Sequence, residues 1–134
     1  MKGSELMIGN IVGYSSLTRM VTAINPPYFI DLGNGERTTI TNVCIEHLNP
    51  IPITEELLLK NGFNLGCYDV LELNFYTQKI NGCHVNIEFE CGYDTYLCHI
   101  QDNRKCTIAS ADIKYVHQMQ NLLAICGIEW KVEL

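Results

Sequence analysis

Hydrophobic and polar residues alternate with a helical period near the end of the chain. Within residues 112–126, wound at about 100° per residue, the apolar side chains gather on one arc roughly 120° wide. Ser110 can cap the start of such a helix, and Gly127 favours its end. The pattern predicts a main helix over about residues 111–126 that lies on a core through Tyr115, Val116, Met119, Leu122, Leu123 and Cys126.

The opposite arc of this predicted helix is polar but almost uncharged, since Lys114 is its only charged residue. Exposed helix faces are commonly stabilised by Glu–Lys pairs. A neutral face of amides and an imidazole therefore indicates a surface that contacts something. Our candidate binding residues are the members of this face and the neighbouring Tyr115: His117, Gln118, Gln120, Asn121, Tyr115 and Lys114.

Three interpretations of the face remain open. His117 and Asn121 are four residues apart, so they can bind one ligand or each other, and amides suit the edge of a base or an exposed strand. Alternatively, the amides pair with loop carbonyls and hold the helix on the N-terminal sheet, because most side-chain hydrogen bonds serve backbone or water. The third is catalysis by His117, but the sequence identifies no nucleophile or second acid–base group to work with it, and we name no catalytic residue.

The first fifty residues carry short apolar runs separated by turn residues. Asn25-Pro26-Pro27 forces a turn, and Gly33-Asn34-Gly35 is a strong hairpin signal. This spacing predicts a small curled, SH3-like sheet. Its predicted strands cover residues 7–14, 19–24, 28–32 and 38–45.

After a boundary at Asn49-Pro50-Ile51-Pro52-Ile53, Thr54 can cap a short helix over about residues 55–60, which Asn61-Gly62 ends. Beyond it, period-two alternation and turn residues predict two antiparallel hairpins and a closing strand. The strands are expected at residues 70–75, 83–89, 93–100, 105–108 and 128–134.

The predicted fold class is α+β: mostly antiparallel sheet, with an SH3-like N-terminal β region, one short helix and one main helix. We expect a single domain over residues 1–134. Within it, residues 1–50 form a β-rich part, and residues 51–134 hold the helices, the hairpins and the final strand.

Composition excludes some functions. Nine Lys and Arg against fifteen Asp and Glu give a net charge of −6, and no cluster of basic residues is present, which disfavours non-specific nucleic-acid binding. No run approaches the roughly 20 apolar residues that span a bilayer, so no membrane association is expected. The first residues lack the apolar run of a secretory signal, and we expect a cytoplasmic protein.

The seven cysteines are interpreted as reduced core thiols, because their number is odd and no C-x-x-C pair occurs. Cys44 and His47 have the spacing of zinc ligands, but no second pair matches them. The Cys83-His84 and Cys98-His99 doublets lie on predicted strands, where adjacent residues face opposite ways. We therefore expect no metal and no cofactor.

Three segments resemble a known family. Residues 5–12 resemble "LRIGNWV", residues 49–63 resemble "IEPIPLTEEWLLKFGF", and Ile113 to Leu122 resemble "IKYVHQLQNLY". Together they are similar to a family of small uncharacterised proteins from phages and mobile elements of Bacteroidota. The resemblance implies a phage or mobile-element setting, and the family has no agreed activity. The tail departs from the family pattern, since residues 123–130 stand where "YFALTGEEL" is expected.

The phage or mobile-element setting implied by the resemblance and the amide-rich helix face together predict a non-enzymatic accessory protein. We expect it to self-associate and to be located in the cytoplasm of a bacterial host. It would sequester a host ligand, with a nucleotide as one guess, or block a host protein. The alternatives are a structural or regulatory protein-interaction module and a small hydrolase that uses His117.

Overall fold

A computed structural model describes residues 5–25, 29–34, 37–68, 73–89 and 94–134 of the chain. The fold divides into two compact units. Unit 1 consists of Met1–Pro52 and Tyr115–Asn121, and unit 2 of Ile53–Lys114 and Leu122–Leu134. Mostly antiparallel sheet with two helices confirms the predicted α+β class.

Unit 1 contains a four-stranded antiparallel sheet whose strands follow one another in chain order. They are β1 (Ile11–Tyr14), β2 (Leu17–Asn25), β3 (Phe29–Gly33) and β4 (Thr38–Cys44), and a 3₁₀ turn at Ile45–His47 follows. Apolar side chains alternate along these strands and close a core made of Leu6, Val12, Val21, Ile30, Leu32, Val43, Ile45 and Leu48. The structure thus shows an antiparallel meander, and the SH3-like topology stays a prediction.

Tight turns and bulges shape this sheet. Ser15 and Ser16 join β1 to β2 with φ values of 46° and 64°, the left-handed pair that a two-residue hairpin requires. The register shifts between Val21 and Ala23 in β2. Part of each predicted turn, Pro26-Pro27 and Gly35, lies outside the described residues, as does Tyr28 at the start of a predicted strand.

Unit 2 contains a five-stranded antiparallel meander and a short helix, α1 (Glu55–Lys60). The α1 prediction is confirmed: Thr54 Oγ1 accepts a hydrogen bond from the Leu57 amide at 3.2 Å, and Gly62 follows with φ +85°. The strands of the sheet are β5 (Asn64–Tyr68), β6 (Leu73–Ile80), β7 (Cys83–Phe89), β8 (Tyr96–Gln101) and β9 (Thr107–Ile113).

The second helix, α2, covers Val116–Ile125, so the predicted start near residue 111 is wrong. Residues 107–113 belong to β9 instead, where Ile113 lies opposite Tyr96 and Ala111 opposite Cys98. Pairing with β8 outweighs the helical periodicity because it satisfies the backbone groups of the whole segment. The first part of α2 belongs to unit 1, and its end belongs to unit 2.

Two further strand predictions need correction. Residues 128–134, predicted as a closing strand, are irregular backbone. The Asn61 side chain holds this segment: it donates to the Glu133 carbonyl at 2.7 Å and accepts from the Glu133 amide at 2.7 Å. Strand β5 was missed, because Gly66 and Cys67 give no clear alternation. Residues 70–72 of another predicted strand lie outside the described residues. No helix in the described ranges has the length and apolar character to cross a membrane.

Gly66 of β5 lies directly opposite Phe75 of β6, and the Phe75 ring covers it. A Cβ atom at Gly66 would meet the ring, with Cε2 only 2.8 Å and Cε1 only 2.9 Å away. This is the arrangement in which an aromatic side chain shields a strand glycine.

We expect Gly66→Ala to lower the free energy of unfolding by about 1–3 kcal/mol through this overpacking, measured by urea denaturation. In a Phe75→Ala background the same substitution should cost nothing or stabilise, because Ala is the better strand residue once the ring is gone. An equal loss in both backgrounds would contradict the contact.

Candidate functional site

The amides predicted as a binding face are bonded to backbone groups of unit 1. Gln120 Oε1 accepts a hydrogen bond from the Ile11 amide at 3.0 Å. Asn121 Nδ2 donates to the Glu5 carbonyl at 2.6 Å, and Asn121 Oδ1 accepts from Asn10 Nδ2 at 2.8 Å. Both amides therefore hold α2 against the first residue of β1 and the segment that precedes it.

Asn10 extends this network into the sheet. Its side chain is 3% exposed, and Oδ1 accepts from the Met7 amide at 2.7 Å while the backbone carbonyl accepts from the Val21 amide at 2.8 Å. Every polar group of Asn10 named here is thus satisfied, as a buried amide requires. The geometry matches the interpretation in which the amides pin the helix, and a role in ligand binding stays a prediction.

Gln118 and Tyr115 complete the start of α2. Gln118 Oε1 accepts from the Tyr115 amide at 3.1 Å, and the Val116 amide donates to the Ile51 carbonyl at 2.9 Å. These bonds satisfy amides that the first turn of a helix leaves without intrahelical partners. Lys114 belongs to unit 2, where Nζ lies 3.5 Å from Asp94 Oδ2.

His117 is fully buried, although the sequence placed it on the polar arc. Its ring is stacked on that of Tyr115, with centroids 5.8 Å apart and planes inclined by 9°. Neither ring nitrogen has a hydrogen-bond partner within the described ranges. Because the ring is shut off from solvent, a dissolved substrate has no direct access to it.

Burial lowers the pKa of His117, because charging an imidazole away from water is costly. The Glu5 carboxylate acts in the opposite direction and is the weaker influence. The folded protein therefore holds His117 as a neutral ring over a wider pH range than the unfolded chain does.

A pocket of about 280 Å³ opens on the surface of unit 1. It has apolar walls, two hydroxyls and one cation, supplied by Ile8, Gly9, Met20, Val21, Thr22, Arg37 and Thr38. Ile8 is 69% exposed, so an apolar side chain stands open to solvent at this pocket. None of these residues was a candidate from the sequence.

The hydroxyls meet across β3. Thr22 Oγ1 lies 2.7 Å from Thr38 Oγ1, although the two residues come from the strands on either side of β3. Gly33 of β3 makes this possible: a Cβ there would lie 2.9 Å from the Thr22 methyl group and would overlap the Arg37 carbonyl. In a hydroxyl pair one O–H remains free to donate outward.

Arg37 is exposed, and its guanidinium makes no hydrogen bond or ion pair with any residue that the structure describes. Its backbone amide donates to Asn34 Oδ1 at 3.3 Å, which anchors the turn before β4. A guanidinium offers five donors and suits carboxylate or phosphate. The pocket can therefore take an anion beside an apolar group.

Among the described residues, no group of three or more His, Cys, Asp or Glu is arranged to hold a metal ion. The described cysteines that are free are Cys44, Cys83, Cys98, Cys106 and Cys126. Cys98 is fully buried in β8, and burial, reinforced by Cys126, raises the pKa of its thiol to about 12. It is a core thiol, as the sequence predicted, whereas Cys106 is exposed.

No protein-family model, no curated protein and no solved structure matches this chain.

Asn121→Ala should lower the free energy of unfolding by about 2–3 kcal/mol, because it removes the hydrogen bonds that the Asn121 side chain makes with the Glu5 carbonyl and with Asn10 Nδ2. Urea denaturation measures the change. Asn103→Ala, in an exposed turn, is the matched control and should stay within about 0.5 kcal/mol of the parent. If both variants are equally stable, the network does not pin the helix.

His117 should make stability depend on pH. Its folded pKa lies below the unfolded value of about 6.5, so the unfolded chain binds the proton first as pH falls. The contribution of His117 to the free energy of unfolding is complete above about pH 6.5. Below that pH it declines by up to about 1.4 kcal/mol per pH unit, until the pH falls below the pKa of His117 in the folded protein.

We expect His117→Phe to remove this part of the pH dependence in urea unfolding between about pH 5 and pH 7.5. His47→Gln, which replaces an exposed imidazole, is the control and should leave it unchanged. A His117→Phe variant with the slope of the parent would show that the buried ring does not titrate in this range.

Proposed function

We propose that this chain is a ligand-binding protein and that the unit 1 pocket takes a small anionic molecule, with a mononucleotide as the first candidate. The observation that carries the proposal is the exposed guanidinium of Arg37, without a partner among the described residues, at a pocket with apolar walls. The resemblance to phage and mobile-element proteins supports a role in sequestering a ligand of the bacterial host.

The polar part of the pocket suits a phosphate. Arg37 can donate two parallel hydrogen bonds to one phosphate, and charged hydrogen bonds of this kind are roughly twice as strong as neutral ones. The Thr22–Thr38 pair adds one hydroxyl donor. Because the chain has a net charge of −6, an anion approaches this protein favourably only where a local cation is exposed.

The apolar part suits a flat ring. Ile8, Met20 and Val21 line the pocket, and Val21 is fully buried in the sheet. At about 280 Å³ the pocket lies just below the usual volume of ligand sites, which span about 300–1,000 Å³. It would hold part of a mononucleotide and leave the rest in solvent, so we expect modest affinity.

The amides of α2 have no place in this proposal. Gln120 and Asn121 already serve the backbone near residues 5–11. Their contribution is indirect: they hold the segment from which Ile8 and Gly9 reach the pocket.

A native mass spectrum of the untagged protein, purified from a bacterial host, is the first test. We expect extra mass that vanishes on denaturation. A spectrum showing only multiples of 15.2 kDa, with no binding of added mononucleotides, would instead favour a host protein as the partner.

Arg37→Gln should weaken mononucleotide binding about tenfold or more, measured by calorimetric titration, because charged hydrogen bonds contribute roughly 1.5–3 kcal/mol. Arg104→Gln makes the same change of charge in an exposed turn of unit 2 and should bind as the parent does. Equal weakening in the two variants would point to general electrostatics rather than to this pocket.

A further inference from the structure

The five-stranded sheet of unit 2 brings a serine, a histidine and a glutamate together on one face. In the strand register, His99 of β8 lies directly opposite Ser110 of β9 and Asn86 of β7. Directly opposite residues share a face, and Glu88, two residues after Asn86, shares it as well. The other face of the same strands carries the buried side chains of Val85, Ile87, Cys98 and Ile100.

The three side chains are within reach of one another. Ser110 Oγ lies 3.0 Å from His99 Nδ1, a hydrogen-bond distance. His99 Nε2 lies 3.9 Å from Glu88 Oε2 on its other side. With the proton on Nε2, facing the carboxylate, Nδ1 is free to accept the serine proton.

This order of groups is the one that makes a serine hydroxyl nucleophilic. A serine is a weak nucleophile until an adjacent base takes its proton, and the base works best when a third group orients it. Ser110 is exposed, so a dissolved molecule can reach its oxygen. His99 and Glu88 are only about one-quarter exposed, which limits the positions their side chains can adopt.

We propose that Ser110 is a nucleophile toward small carboxylic esters, with His99 as its general base and Glu88 as the positioning residue for the imidazole. This activity is independent of the proposed ligand pocket, because every residue involved belongs to unit 2.

In the first step, Ser110 Oγ forms a bond to the ester carbonyl carbon, and the serine proton moves to His99 Nδ1. The tetrahedral adduct then breaks its bond to the alkoxy oxygen, which leaves as the alcohol after taking the proton from Nδ1. Water, deprotonated by the same nitrogen, then forms a bond to the acyl carbon of the acyl-serine. The bond from that carbon to Ser110 Oγ breaks, Ser110 Oγ takes the proton back from His99 Nδ1, and the carboxylic acid leaves. No oxidant, reductant or metal is needed.

Backbone N–H groups are available to the adduct. Because β9 is the outer strand of its sheet, alternate N–H groups along it point away from β8. One of the consecutive amides of Ser110 and Ala111 therefore points away from β8 and could donate to the oxyanion of the adduct. A single donor of this kind gives slow turnover, since oxyanion stabilisation is commonly the largest contribution to such reactions.

The test is trapping with a fluorophosphonate, which imitates the tetrahedral stage of ester hydrolysis. Ser110 Oγ forms a bond to phosphorus, fluoride leaves, and the proton passes to His99. We expect one adduct per chain in the intact mass spectrum, located at Ser110 by peptide mapping. Ser15 and Ser16, both exposed and without an imidazole partner in the described residues, serve as internal references and should stay unmodified.

Three variants sharpen the assignment. Ser110→Ala should abolish the adduct, and His99→Gln, which can still accept a hydrogen bond but cannot take the proton, should slow labelling about a hundredfold. Ser16→Ala should label as the parent does. Circular dichroism and the urea midpoint of each variant confirm that it is folded.

Glu88→Gln tests positioning. It should slow labelling less than His99→Gln does and should change the ¹⁵N chemical shifts of the His99 ring, because the proton no longer favours Nε2. A purely structural role of Glu88 would leave those shifts unchanged.

The proposal is overturned if the parent protein gives no adduct at Ser110, if Ser15 or Ser16 labels at the same rate, or if folded His99→Gln labels as fast as the parent. None of these results bears on mononucleotide binding, which is measured separately through Arg37.

Discussion

The hydrogen bonds from Gln120 and Asn121 to residues 5–11 are the constraint on which unit 1 depends. In and just before the start of β1, the Gly9 amide and the Asn10 carbonyl bond to Val21 of β2, whereas the Glu5 carbonyl and the Ile11 amide bond to side chains of α2, and Leu6 beside them is 5% exposed. Buried backbone groups must find partners, and the amides of a helix more than 100 residues away in sequence supply them. This attachment, together with the hydrogen bond from the Gly9 amide to the Val21 carbonyl at 2.8 Å, positions Ile8 and Gly9 at the pocket.

Features whose cause is local could be predicted from the sequence. The bounds of α1 follow from the Thr54 cap and the Asn61-Gly62 end, and the β6–β7 hairpin follows from Asn81-Gly82, whose φ values of 49° and 82° are those such a turn needs. The start of α2 could not be predicted, because residues 111–113 fit a helix by periodicity and a strand by pairing. Only the presence of β8 decides between the two.

The sites depend on distant pairings, which is why the sequence revealed so little of them. It located Gln120 and Asn121 on a helix but could not identify their partners. The Ser110–His99 pair depends on the β8–β9 register: a turn at residues 101–104 would place His99 opposite Cys106. The actual turn is longer, with Asp102 Oδ1 accepting from the amides of Arg104 and Cys106 at 2.9 Å each and Lys105 at φ +64°.

Cys98 gives unit 2 an internal kinetic reporter. Its thiol lies on the buried face of β8, next in sequence to His99, and its raised pKa keeps it protonated in the folded state. An alkylating reagent can reach it only when β8 opens, whereas exposed Cys106 reacts without any opening. The ratio of the two alkylation rates therefore measures how often β8 opens. Amide exchange reports the same kind of opening, but here the signal comes from one identified sulfur atom.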